Sequence, residues 1–261
     1  MSGPNDQILT RQQGRTLWIA LNRPAARNAL TFDMYSRLAD LCSTVPTDGS
    51  LGAIVIHGTG GRAFAAGTDI GQFRDFDGAR DALEYEARID EVLGAVETCP
   101  LPTVAALNGA CTGGGAAIAA ACDLRLASAS LQFGFPIART LGNCLSTANL
   151  ARLAQLVGAG RLREMIFTAR LMQAEEALAI GLVTEILADE AALMDRATAL
   201  AEHLSGMAPL TLRATKEAFR RLRAAAPAED ADLIEMVYTS ADFRIGIDAF
   251  LAKETPSWTG R

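Results

Sequence analysis

Short continuous apolar runs alternate with stretches of helical apolar spacing over the first two thirds of the chain. Residues 17–21 form one such run, stopping at Asn22-Arg23-Pro24, which predicts a strand and then a turn. Thr31 suits a helix N-cap, and after it Met34, Leu38, Leu41 and Val45 recur at helical spacing. Residues 51–56 predict a buried strand closed by Gly58-Thr59-Gly60-Gly61. A long helix is expected over 79–97, with Leu83, Ala87, Ile89, Val92, Leu93 and Val96 turned inward. Residues 102–107 and 123–127 predict strands on either side of a small-residue helix at 116–121. The segment 141–157 is expected to be mostly helical, and 182–187 to be a strand after a helix stop at Gly181. From Asp189 onward the pattern is almost wholly helical, with Pro209 suited to a first turn. Alternating strand and helix followed by helices predicts an α/β core with a C-terminal helical extension.

Composition narrows the function classes. A chain of 261 residues, half of them hydrophobic, buries enough surface to fold without disulfide or metal staples. A net charge of −6 argues against a surface that tracks nucleic-acid phosphates. A few local arginines and helix N-termini could still hold an anionic group. The five cysteines contain no CxxC pair, which fits reduced thiols and a cytoplasmic location. Residues 1–13 are polar, so no secretory signal is expected, and no apolar run is long enough to span a membrane. His57 and His203 lie outside every motif, and no ligand-spaced cluster suggests a metal.

Two segments share one design, in which a strand leads through glycine into small residues that open a helix. They are Phe64-Ala65-Ala66-Gly67-Thr68-Asp69-Ile70 and Gly113-Gly114-Gly115. A helix start leaves N–H groups unpaired and partly positive, and glycine lets a substrate approach them. Two such groups aimed at one point would stabilise the oxyanion formed when a thioester is attacked or deprotonated. The competing explanation is that glycine and alanine only allow close helix–sheet packing. A dinucleotide loop is disfavoured, because Gly58-Thr59-Gly60-Gly61-Arg62-Ala63 lacks the last glycine of GxGxxG, and no P-loop lysine or GxSxG elbow occurs.

Several motifs follow one another in order: Leu21-Asn22-Arg23-Pro24 with Arg27-Asn28-Ala29-Leu30, Ala63 through Ile70, and Asn108-Gly109 through Gly115 with Ala121-Cys122-Asp123. Gln132-Phe133-Gly134 to Pro136, Gly181-Leu182-Val183 and residues 256–261 complete the series. Together they resemble the crotonase family, also called the enoyl-CoA hydratase/isomerase family, nearly end to end. The resemblance implies an α/β crotonase-like spiral of ββα units with a C-terminal helical extension. Residues 1–188 would form the core with the acyl-CoA site, and 189–261 a helical trimerisation region. It implies an acyl-CoA substrate, no cofactor beyond that substrate's coenzyme A moiety, and a homotrimer or hexamer (a dimer of trimers). Carried over by position, the N–H groups of Thr68 and Gly114 would form an oxyanion hole. Arg27, Ala65, Ala66, Asp69 and Ile70 would lie against the acyl-CoA.

The chain departs from the resemblance at two places. Hydratases of the family use two glutamates, and the matching positions here are Ala117 and Ile137. Neither side chain can activate water or donate a proton, so hydration by a glutamate pair is not expected. Replacement chemistry must come from nearby groups. Cys144 follows Gly142-Asn143 where the family's dehalogenases place a nucleophilic aspartate; it is either a thiolate nucleophile or a small buried hydrophobe. Arg139 either orients the acyl group or makes an ion pair, and Asn143 either positions a water or caps the next helix. Glu84 or Glu86 either supplies an acid or base or lies on a solvated helix face. The expected function is that of an acyl-CoA enzyme that stabilises a thioester enolate. The alternative is a non-catalytic acyl-CoA-binding or partner-binding homologue.

Overall fold

The computed structural model describes residues 7–74, 76–224 and 231–258, so the end of the 256–261 motif lies outside the described residues. The apolar runs pair into two sheets. The larger takes β1 (Ile8–Gln13), β2 (Thr16–Leu21), β3 (Ala53–Gly58), β5 (Thr103–Leu107), β7 (Leu124–Ser128) and β10 (Glu185–Leu187), in that order. Its neighbours are parallel except for the β1–β2 hairpin. β3 and β5 are buried almost throughout, which is why they show as continuous apolar runs and not as alternating ones. The smaller sheet takes β4 (Ala63–Ala65), β6 (Ala110–Thr112), β8 (Gln132–Gly134) and β9 (Met172–Gln173), with only the last pair antiparallel.

Helices close each turn of the chain. α1 (Phe32–Ser43) follows β2, α2 (Ala79–Thr98) follows β3 and β4, α3 (Gly114–Ala121) follows β5 and β6, and α4 (Ile137–Thr140) follows β7 and β8. From β3 to α4 every turn therefore lays one strand in the large sheet, one in the small sheet and then a helix. That is the expected spiral of ββα units. α5 (Thr147–Val157), α6 (Ala159–Phe167), α7 (Ala174–Ala179), α8 (Glu190–Ser205), α9 (Pro209–Ala224), α10 (Ala231–Tyr238) and α11 (Ala241–Ala252) complete the fold. Among the described residues no helix is long and apolar enough to cross a membrane.

Local chemistry sets the boundaries. Thr31 Oγ1 accepts the Met34 N–H at 3.3 Å and starts α1, as its hydroxyl predicts. The expected helix over 141–157 is interrupted: α4 ends at Thr140, and α5 starts only where Ser146 Oγ accepts the Asn149 N–H at 3.2 Å. Asn143 is therefore not the cap. In α2 the buried stripe is Ala82, Glu86, Ile89, Val92, Leu93 and Val96; Leu83, expected inward, packs half-buried against the Phe73–Phe243 cluster, whereas Ala87, also expected inward, is exposed and Glu86 is buried instead. A glutamate occupies a core position of this helix.

The main core fills the space enclosed by the sheets, α1, α2 and α3. On the other face of the large sheet, Leu193, Ala197 and Ala201 of α8 pack on Trp18, Val55 and Val104. α9 is tied down by Lys216, whose Nζ donates to the Leu101 carbonyl at 2.9 Å and to Asp123 Oδ2 at 2.6 Å.

Candidate active site

The two glycine loops meet because their strands pair. Ala63 lies opposite Ala110 and Ala65 opposite Cys111, so the residues that follow each strand emerge side by side. Gly67 (φ 106°) and Gly113 (φ 52°) both turn through the left-handed region, where glycine is favoured. A Cβ at Gly113 would sit 3.4 Å from the Gly67 Cα, so the turns are in contact. The flanking amides fix them: Leu30 N–H donates to the Gly67 carbonyl and Asp69 N–H to the Leu30 carbonyl, both at 2.8 Å, and Gly113 N–H donates to the Gly134 carbonyl at 3.0 Å. These bonds skip Thr68 and Gly114, and neither of those N–H groups has a hydrogen-bond acceptor among the described residues.

A row of hydroxyls backs the two loops. Tyr35 Oη lies 2.8 Å from Thr68 Oγ1, which lies 2.9 Å from Tyr85 Oη. Burial pushes both phenols well above their ordinary range, so they stay neutral hydroxyls. A Cβ at Gly114 would fall 1.8 Å from Tyr35 Oη and 3.2 Å from Thr68 Oγ1. At Gly115 a Cβ would fall 2.4 Å from the Ala65 carbonyl oxygen. Close packing thus requires glycine at both positions, against Tyr35 at Gly114 and against Ala65 at Gly115.

A cavity of about 830 Å³ lies against these loops. Arg27, Ala66, Asp69 and Ile70 all line it, as expected. Asp69 holds its own loop: Oδ1 accepts the Gly71 N–H at 3.0 Å, and Oδ2 pairs with Arg23 at 2.8 Å. Ala117 and Ile137 line the cavity as apolar walls. Ala65 does not line it; its side chain lies beneath Gly115 in β4.

The buried carboxylate in this cavity belongs to Glu86, not Glu84. Two residues along a helix differ in direction by roughly 200°, so the neighbours face opposite ways. Glu84 is exposed and pairs with Arg80 at 2.7 Å, outside the cavity. Glu86 is 4% exposed and lines the cavity. One carboxylate oxygen accepts the Tyr238 hydroxyl and the other accepts the Ser146 N–H at 3.3 Å. Burial and the charge of Glu86 push the Tyr238 phenol well above its ordinary range, so Tyr238 remains a neutral donor. Asn143 Nδ2 donates to Tyr238 Oη and to the Cys144 carbonyl, each at 3.3 Å.

Two other candidates fall away from the site. Arg139 is exposed in the last turn of α4 and does not line the cavity. Cys144 sits between two lining residues but does not line the cavity; half-buried, it packs against the cluster that contains Phe73, Leu141, Tyr238 and Phe243. Tyr35, Tyr238 and Asn149, which complete the site, carry no local signal in the sequence. They come from segments far apart in the chain and fit no motif.

Comparison with known proteins gives one consistent result. The sequence family described as enoyl-CoA hydratase/isomerase matches residues 11–261. The 2,3-dehydroadipyl-CoA hydratase of Escherichia coli (strain K12) is 33% identical over 98% of this chain and 100% of its own. A solved enoyl-CoA hydratase/carnithine racemase from Magnetospirillum magneticum is 32% identical, with a TM-score of 0.79 over 98% of this chain and 96% of that one. A solved methylmalonyl-CoA decarboxylase in complex with 2-nitronate-propionyl-CoA is 26% identical, with a TM-score of 0.85 over 97% of this chain and 98% of that one.

Proposed function

The chain belongs to the enoyl-CoA hydratase/isomerase family, and we propose that it holds an acyl-CoA thioester carbonyl between the Thr68 and Gly114 N–H groups and reacts through the enolate. The observation that carries this reading is the contact of the two glycine turns, with the flanking amides bonded and these two left over. Donors fixed in advance stabilise developing negative charge without reorganisation; each contributes about 3–4 kcal/mol at such sites. The nitronate carried by the acyl-CoA in the decarboxylase relative is the nitro counterpart of an enolate. Coenzyme A enters as part of the substrate, and the reading needs no other cofactor.

Proton transfer falls to Glu86. Ala117 and Ile137 carry no group that can take or give a proton, whereas Glu86 is a buried carboxylate that lines the cavity. In this step the α-carbon C–H bond breaks, the proton passes to a Glu86 oxygen and the electron pair delocalises onto the thioester oxygen. The test is α-proton exchange of butyryl-CoA in deuterated water, followed by mass spectrometry. Wild type should incorporate deuterium, and Glu86→Gln should slow incorporation by about 100-fold or more, within the usual range for a positioned base. Full exchange in the Gln variant would remove Glu86 from the mechanism. The apolar pair at 117 and 137 also motivates a second reading, a non-catalytic acyl-CoA binder; tight binding with no exchange or turnover across a thioester panel would favour it.

A further inference from the structure

We propose that Tyr85 is a positioning residue for the reaction: through the Thr68 hydroxyl it sets the spacing between the two N–H donors and Glu86. The inference rests on the acyl-CoA reading above. Tyr85 and Glu86 are neighbours on α2, and both line the cavity. The Tyr85 hydroxyl lies 2.9 Å from Thr68 Oγ1, so a hydrogen bond ties the helix turn that carries the carboxylate to the loop that carries one of the donors. The backbone bonds of that loop run elsewhere. The Gly67 carbonyl and the Asp69 N–H both pair with Leu30, which precedes α1. Because the peptide is trans, the carbonyl bond to Leu30 turns the Thr68 N–H away from Leu30. Those bonds fix its direction, and the tie to α2 comes from the side chain.

Both ends of this strut are held. The Tyr85 ring packs against Phe32, Phe73, Phe76 and Tyr238, with centroids 5.9, 4.8, 6.0 and 6.3 Å away. On the other side Thr68 Oγ1 lies 2.8 Å from the hydroxyl of Tyr35, which is completely buried on α1. Thr68 is the one hydrogen-bond partner of that phenol among the described residues. A buried hydroxyl proton is costly when left unmade, so Tyr35 donates and Thr68 accepts. The second bond of Thr68 Oγ1 then goes to Tyr85, whichever of the two donates. Threonine branches at Cβ and has few χ1 choices, and two fixed phenols select one of them. Apolar packing alone is non-directional and does not hold a donor to this precision. Misplacing reacting groups by about 1 Å costs about 100-fold in rate.

The test reads two quantities: α-proton exchange of butyryl-CoA at saturation, and the dissociation constant of butyryl-CoA by calorimetry. Tyr85→Phe keeps the ring and removes only the hydroxyl. Exchange at saturation should fall by about tenfold or more while the dissociation constant stays within about twofold. Thr68→Val keeps the shape of the side chain and the main-chain N–H, and should lose a similar factor. Thr68→Ser, which restores a hydroxyl, should recover most of that loss. Adding Tyr85→Phe to Thr68→Val should cost little more, because both break one link. If Thr68→Val fails to fold, Tyr85→Phe, which leaves the Tyr35–Thr68 bond in place, carries the test. Variants that unfold at lower urea yet exchange at the wild-type rate would make the row purely structural and overturn the inference. A loss confined to the dissociation constant, or fully additive losses in the double variant, would overturn it as well. These outcomes leave the acyl-CoA reading standing, whereas absence of exchange in wild type would overturn both.

Discussion

A methyl group added at Gly114 would lie 1.8 Å from the hydroxyl of buried Tyr35, so the loop and that side chain must move apart. Gly114→Ala should therefore displace the N–H and lower α-proton exchange by about 100-fold. Combining it with Tyr35→Phe removes the clashing oxygen and should recover part of the loss. Equal exchange in Gly114→Ala and wild type would sink the role given to this amide. A second prediction concerns His57, whose ring packs edge-on against Trp18 with centroids 5.8 Å apart. Burial, helped by the charge of Arg11, holds its pKa below the ordinary 6.5. The unfolded chain binds the proton first, so the stability contributed by neutral His57 is intact above pH 6.5 and is lost as pH falls toward the folded value. Urea midpoints should decline below that pH, and less steeply in His57→Gln; identical slopes would refute the account. At this scale the two glycine turns were legible because glycine leaves a motif. Glu84 and Glu86 could not be told apart in the sequence, because a glutamate at an inward helical position runs against hydrophobic patterning, and only the packing of α2 shows that Glu86 takes one.

Elements of the large sheet were legible because strands buried on both faces are written as unbroken apolar runs. The small sheet is built from strands of two or three residues, too short to show any period, so its pairing could not be read from pattern. That pairing brings the two glycine loops together. The break between α4 and α5 was likewise hidden, since the residues between them keep apolar character while Gly142 takes a positive φ of 70°. Attachment of α9 converges on Asp123, which accepts from Lys216 Nζ and also from the Thr103 N–H at 2.7 Å and the Thr103 hydroxyl at 2.9 Å. Asp123→Ala strips a largely buried ammonium of its counter-charge, leaving it the Leu101 carbonyl, and removes the acceptor of the Thr103 N–H; it should cost about 2–4 kcal/mol in denaturant unfolding. A change within experimental error would show that water replaces the carboxylate.

Across the whole molecule the apolar surface is unevenly distributed. Phe167, Leu210, Leu222 and Phe219 are 78%, 76%, 72% and 66% exposed, and three of them project from α9. Surfaces of this kind mark contact sites, and we propose that they pack against further copies of the chain in the homotrimer or hexamer that the sequence motifs led us to expect. Phe219→Glu with Leu222→Glu should lower the mass measured by light scattering from a trimer or hexamer toward a monomer; an unchanged mass would assign the interface elsewhere. The spiral itself was legible only through the ordered series of motifs, because no single turn of it has a distinctive composition. Its geometry has a consequence for inheritance. The cavity takes side chains from positions as far apart as Ala25 and Lys253, so no contiguous stretch of coding sequence encodes the specificity of this site. A crossover with a diverged relative would join half of one cavity to half of another. Altered specificity in this architecture is therefore expected to accumulate by scattered point substitutions and not by exchange of segments.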